Sequence, residues 1–109
     1  MAGSTSETPV LDLLAEMTAG SIEASSLDAE TLALVRIAAL VAVDAPAVSY
    51  LMNLAVAGEL GVDAEQVRGV LAAVAPIVGT ARTLSAGLKI TEALGLALIE
   101  LEDEIEAAE

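Results

Sequence analysis

Residues 44 to 61, DAPAVSYLMNLAVAGELG, decide how the rest of the chain is read. Asp44 is a good acceptor for the free N–H groups of a helix's first turn, and Pro46 suits an early position where a missing donor does no harm. The stretch therefore predicts a helix that starts at Pro46 and is capped by Asp44. From Pro46 onward nearly every side chain is apolar, so the helix is expected to be covered on most sides. Pro46, Ser49 and Asn53, at spacings of three and four, share one face.

Working outward, the 109 residues bound a single domain, and 56% of them are hydrophobic. Phe and Trp are absent and Tyr occurs once, so the apolar content is Ala, Leu, Val and Ile. Such side chains favour closely packed helices, and an all-α fold of five to six helices is expected. A mean hydropathy of +0.74 is more than one small core hides easily. A membrane span needs ~20 apolar residues. The run from Leu32 to Val43 holds Arg36 and stops at Asp44, and later runs are cut by Pro76, Gly79 and Glu92. Association with further copies of the chain is the expected outlet.

Seventeen acids against four bases give a formal net charge of −13, which disfavours nucleic acid and anionic lipid. With no Cys and no His, thiolate chemistry, disulfides and the commonest general base are excluded. No metal-ligand spacing and no cofactor motif is present. The N-terminal MAGSTSETP has neither the basic nor the apolar region of a secretory signal, so a cytoplasmic protein is expected.

Residues 1 to 8 offer nothing to bury and are expected to be disordered. Thr8 and Pro9 then start an amphipathic helix, with Val10, Leu13, Leu14 and Met17 on the stripe that lies on the body and Gly20 as its end. After a polar connection over 20–26, Asp28 caps a largely interior helix to Val43. Gly58 and Gly61 close the central helix, and Asp63 with Gln66 forms a capping box for the next, whose apolar face is Val67, Val70, Leu71 and Val74. Pro76 and Gly79 break the pattern before Thr80 restarts it. A further helix is expected from about Leu96, with Leu94, Leu98, Leu101, Ile105 and Ala108 as a heptad-like seam among acids that oppose its dipole.

Three stretches, LDAETLALVRIAALVAV, SYLMNLAVAGELGVDAEQVRGVL and APIVGTARTLSAGLKITEALG, together resemble the carboxymuconolactone decarboxylase and alkylhydroperoxidase D family. They span residues 27 to 95, about two-thirds of the chain. The resemblance implies a helical domain over 9–95, followed by an acidic helix or tail over 96–109, and a homo-trimer or homo-hexamer. It also implies an active site at the start of the central helix. In the peroxidase-type members that helix carries Cys-x-x-Cys and a His four residues later, with a Glu about three turns before. Laid on this chain, the pattern puts Pro46 and Ser49 at the cysteines, Asn53 at the histidine and Leu34 near the glutamate. A serine hydroxyl does not cycle through a disulfide, so no thiol peroxidase activity is expected.

Remaining candidates are read from residue type. Arg36, the single cation in an otherwise apolar helix, must find a carboxylate, carbonyls, solvent or an anionic ligand, with Asp44 or Glu59 in reach as partners. Arg36, Tyr50, Asp44 and Glu59 are the candidate groups for a lyase acting on a small carboxylate or lactone. Ser49 and Asn53 could bond a ligand, neighbouring backbone or a subunit interface. Thr80 and Arg82, after Gly79, could hold a small anion or serve as a helix start. Lys89 reads as a surface lysine. The functional readings are a homo-oligomer with a structural, binding or regulatory role, the lyase, and an adaptor whose acidic C-terminal helix docks a partner protein.

Overall fold

The computed structural model describes residues 6–108, with side chains described through residue 95 and at 102, 103, 106 and 107. The expectation for residues 1 to 5, and the packing of the seam beyond Leu94, lie outside these. Five helices follow in order: α1 (Pro9–Ala24), α2 (Ala29–Ala42), α3 (Ala47–Glu59), α4 (Ala64–Val78) and α5 (Thr80–Ala108). No strand occurs among the described residues. No helix among them is long and apolar enough to cross a membrane.

Local chemistry sets most of the helix starts. Asp28 accepts from the Thr31 N–H at 2.8 Å, and that bond holds its carboxyl below the usual carboxylate range. At α4 the box is reciprocal: the Gln66 N–H donates to Asp63 at 2.8 Å and the Asp63 N–H donates to the Gln66 side chain at 3.0 Å. At α1 the expected side-chain cap is missing, because the Thr8 hydroxyl donates to Asp12 Oδ1 at 3.2 Å. Gly20 does not end α1, which runs on to Ala24, since an isolated Gly inside a helix costs only about 1 kcal/mol. Pro76 does not break α4 either. It lies in the last turn, and the Gly79 N–H bonds the Ala75 carbonyl at 3.0 Å beyond it. Gly79, at φ 91°, makes the turn, and α5 continues unbroken past Leu96.

The region around Asp44 differs from its sequence reading. Pro46 is the N-cap of α3 and no side chain caps that helix. Asp44 instead terminates α2. The Ala45 N–H bonds the Leu40 carbonyl at 3.0 Å and the Asp44 N–H bonds the Val41 carbonyl at 3.2 Å, with Asp44 at φ 52°. This is a Schellman ending, normally built on glycine. The end of α3 repeats it with Gly61 at φ 88°, where the Val62 N–H bonds the Ala57 carbonyl and the Gly61 N–H bonds the Gly58 carbonyl.

Helices α2, α3, α4 and α5 pack around one another. One cluster gathers Val41, Ala45, Tyr50, Ala86, Ile90 and Ala93, and a smaller one Ala33, Ile37 and Ala57. Val67, Leu71, Val74 and Val78 of α4 are half-buried against the first. Small residues dominate, so the buried side chains are few. Only Tyr50 and Ala57 of α3 are buried, while Val48, Met52 and Val56 are exposed, so the central helix is not covered on most sides within one chain. Nor does α1 lie on the body, because none of its residues is buried.

Candidate functional site

An open groove of about 720 Å³ separates the C-terminal half of α1 from the bundle. Its walls are largely apolar, with Met17 and Ile22 from α1, Leu32 from α2, and Met52 and Val56 from α3. Among them sit four polar groups: Thr18, Ser21, Arg36 and Asn53. Helical spacing explains the convergence. Thr18 and Ser21 are three apart on α1, Arg36 is one turn beyond Leu32 on α2, and Asn53 adjoins Met52 on α3.

Arg36 donates from Nη2 to Ser21 Oγ at 3.0 Å and, among the described residues, forms no ion pair. Neither Asp44 nor Glu59 is its partner: Glu59 is exposed on the last residue of α3 and Asp44 belongs to Lys89. A guanidinium carries five N–H donors in a planar fork, so one hydroxyl leaves most of its capacity for an anion. The Asn53 amide turns back onto its own helix and donates to the Ser49 carbonyl at 2.9 Å. The Ser49–Asn53 face thus satisfies itself while Asn53 still lines the groove.

A second polar cluster joins the end of α2 to α5. Ser85 Oγ and Lys89 Nζ both donate to Asp44 Oδ1, at 2.7 and 2.9 Å, and Lys89 Nζ also reaches the Asp44 carbonyl at 3.3 Å. Lys89 is therefore engaged in an ion pair, not simply a surface lysine. Arg82 donates to the Ala42 carbonyl, a cation at the negative end of the α2 dipole. Arg82 thus spends one of its N–H donors on the backbone, and Thr80 is exposed at the first position of α5. Arg82, Ser85 and Lys89 share one face of α5, and together they clamp the turn that carries Asp44.

This clamp explains why an aspartate occupies a left-handed position where glycine is the default. Lys89 first, and Ser85 second, hold the Asp44 carboxyl below the usual carboxylate range. A depressed carboxylate contributes stability that is present above its unfolded pKa, about 3.9, and is lost as pH falls through its folded value. Asp44→Asn keeps tolerance of the left-handed backbone but removes the charge. Its melting temperature should lie below that of the wild type at neutral pH, and the gap should close on acidification. Equal gaps at pH 7 and at pH 3 would show that the ion pair is not what the carboxylate supplies.

Tyr50 lies elsewhere. It is fully buried in the larger core cluster, does not line the groove, and its hydroxyl has no hydrogen-bond partner among the described residues. The structure therefore brings Arg36 and Asn53 to one groove, and Asp44 and Arg82 to one helix end. It leaves Glu59 and Thr80 apart from both. The groove's α1 side is not legible in the sequence, because Ser21 falls in the polar stretch over 20–26 whose composition predicts a connection. The relevant signal was the 3.6-residue spacing of Leu14, Met17, Thr18 and Ser21. No cluster of three or more potential metal ligands occurs among the described residues.

A bundle of short Ala-rich helices with a groove beside the central pair defines an all-α domain of the kind the resemblance implied. The model of the carboxymuconolactone decarboxylase family matches residues 8–93, and the chain belongs to that family. Comparison with curated proteins and with solved structures gives no significant match.

Proposed function

We propose that this chain is a homo-oligomeric, non-redox member of the carboxymuconolactone decarboxylase family whose Arg36 groove binds a small carboxylate with an apolar body. The observation that carries the reading is Arg36 itself. In a chain with seventeen acids it stands among apolar walls with, among the described residues, only the Ser21 hydroxyl as partner. A concave, mostly apolar site with a few convergent polar groups is the usual form of a small-molecule pocket. The lack of cysteine removes the thiol–disulfide cycle of the peroxidase-type relatives.

Association is supported by exposed apolar surface. Among the described residues seventeen large apolar side chains, from Val10 to Leu94, are exposed. Covering such surface is what draws identical chains together.

Binding is tested by calorimetry with octanoate as the probe and octanol as its uncharged control. Octanoate should bind, octanol should bind at least tenfold more weakly, and Arg36→Met should abolish the difference. A charge-assisted hydrogen bond is worth ~1.5–3 kcal/mol, or about 10- to 100-fold in affinity. Equal affinities of the wild type and Arg36→Met for octanoate would refute the anchor. The lyase reading predicts release of carbon dioxide from a carboxylated lactone, and its absence in a binding-competent protein would leave binding as the role.

A further inference from the structure

Two apolar rows stand exposed among the described residues. On α1, Val10, Leu13, Leu14 and Met17 recur at helical spacing and are 68, 56, 49 and 60% exposed. Of these only Met17 borders the groove, so the N-terminal half of α1 projects past it as an arm. On α3, Val48, Met52 and Val56, each four residues apart, form one ridge and are 56, 67 and 55% exposed. Monomeric proteins rarely leave contiguous apolar patches larger than about 300–600 Å² open to water.

We infer that the occupant of the α3 ridge is the α1 arm of a second copy of this chain. The inference deepens the oligomeric reading above and rests on it. Three observations select this occupant. The seven side chains of the two rows lie on two separate helices and are all 49–68% exposed, and a second copy carries the same pair of rows and so covers both at once. The two rows are complementary in kind: an amphipathic helix with an i, i+3, i+4, i+7 stripe lays that stripe into an apolar surface of matching pitch. Both rows are also free of charge, whereas the arm's acids Asp12 and Glu16 lie off its stripe, so two chains of net charge −13 meet without burying a carboxylate.

The geometry has a consequence for the groove. Met52 and Val56 belong to the ridge and also to the groove wall, while Val48 lies beyond it. An arm seated on Val48 and Met52 roofs the open side of the groove, so each site is completed by its neighbour. Arm and ridge are different surfaces, so the contact runs head to tail and closes into a ring, or pairs reciprocally by exchange.

The native chain has no cysteine, so introduced thiols are the only ones present. Leu13→Cys and Val48→Cys proteins, prepared separately, mixed and mildly oxidised, should give a disulfide-linked species of twice the chain mass. Leu88→Cys in place of Val48→Cys, exposed on α5, should not. Independently, Leu13→Asp/Leu14→Asp should lower the native mass at unchanged helical content, since both side chains are exposed in the single chain. Association of the wild type with neither cross-link nor mass change would overturn the arm and leave the oligomer standing. A monomeric wild type would overturn both. A doubly substituted Leu13→Cys/Val48→Cys chain that links within itself at monomer mass would show that the arm folds onto its own α3, which also overturns the proposal.

Discussion

Tyr50→Ala should unfold much of the protein under conditions where Tyr50→Phe leaves it intact. Tyr50 is the largest fully buried side chain, and its neighbours Val41, Ala45, Ala86 and Ala93 are too small to close over its loss. Truncating a buried ring costs ~3–5 kcal/mol through lost transfer energy and the cavity left behind. A domain of this size has only ~5–15 kcal/mol in total. The phenylalanine variant behaves differently because the buried hydroxyl has no partner among the described residues. Such a group costs ~1–3 kcal/mol, so removing it should leave the denaturation midpoint unchanged or raise it.

Burial, and then the charge of Asp44, push the Tyr50 phenol above its ordinary range. A raised pKa means stability that is complete below the unfolded value, about 10, and is lost as pH rises through the folded one. Tyr50 is the only aromatic residue, so tyrosinate absorbance reads it alone and should appear only together with loss of helix. A lowered midpoint for Tyr50→Phe, or ionisation of Tyr50 in a still-folded chain, would contradict its burial without a partner.

The parts of this fold that were legible in the sequence are those decided within a few residues. The starts at Asp28 and at Asp63–Gln66 are local hydrogen bonds, and both occur as read. Asp44 was misread because the same short carboxylate that caps a helix start also tolerates the left-handed turn that ends one. What separates the two roles is Ser85 and Lys89, more than forty residues away, and no local pattern reveals them. The proline two residues after Asp44 fits either reading. Pro76 and Gly20 failed as breaks for a related reason, since each disturbs one turn of a helix held by its neighbours. The stripe on α1 was visible as a stripe. Whether it covers its own body or another's depends on where a polar segment bends, and periodicity carries no record of that. At the candidate site, Arg36 stood out as a lone cation, but the Ser21 that meets it lies on a helix that was expected to have ended.

The small residues of α5 make the second large prediction. Ala86, Ile90 and Ala93, at spacings of four and three, are the described residues of α5 that lie in the core, and the two alanines are each 1% exposed. A methyl group at these points lets the backbone of α5 approach the α2–α3 turn and Tyr50. Ala86→Leu adds three carbons where there is no room, which typically costs ~1–3 kcal/mol and occasionally more. For a domain near this length each 1 kcal/mol lowers the melting temperature by about 4–8 °C. Because Ser85 and Lys89 flank these alanines on the same helix, displacing α5 also loosens the Asp44 clamp. Ala86→Leu should therefore melt well below the wild type, and its remaining stability should depend less on acid pH, the same signature as Asp44→Asn. Leu88→Ala, on the exposed side of the same helix, should shift the melt by no more than about 0.5 kcal/mol. A normal melt and normal acid response in Ala86→Leu would mean that α5 does not press on the turn, and the clamp would then have to hold α5 in place rather than follow from its packing.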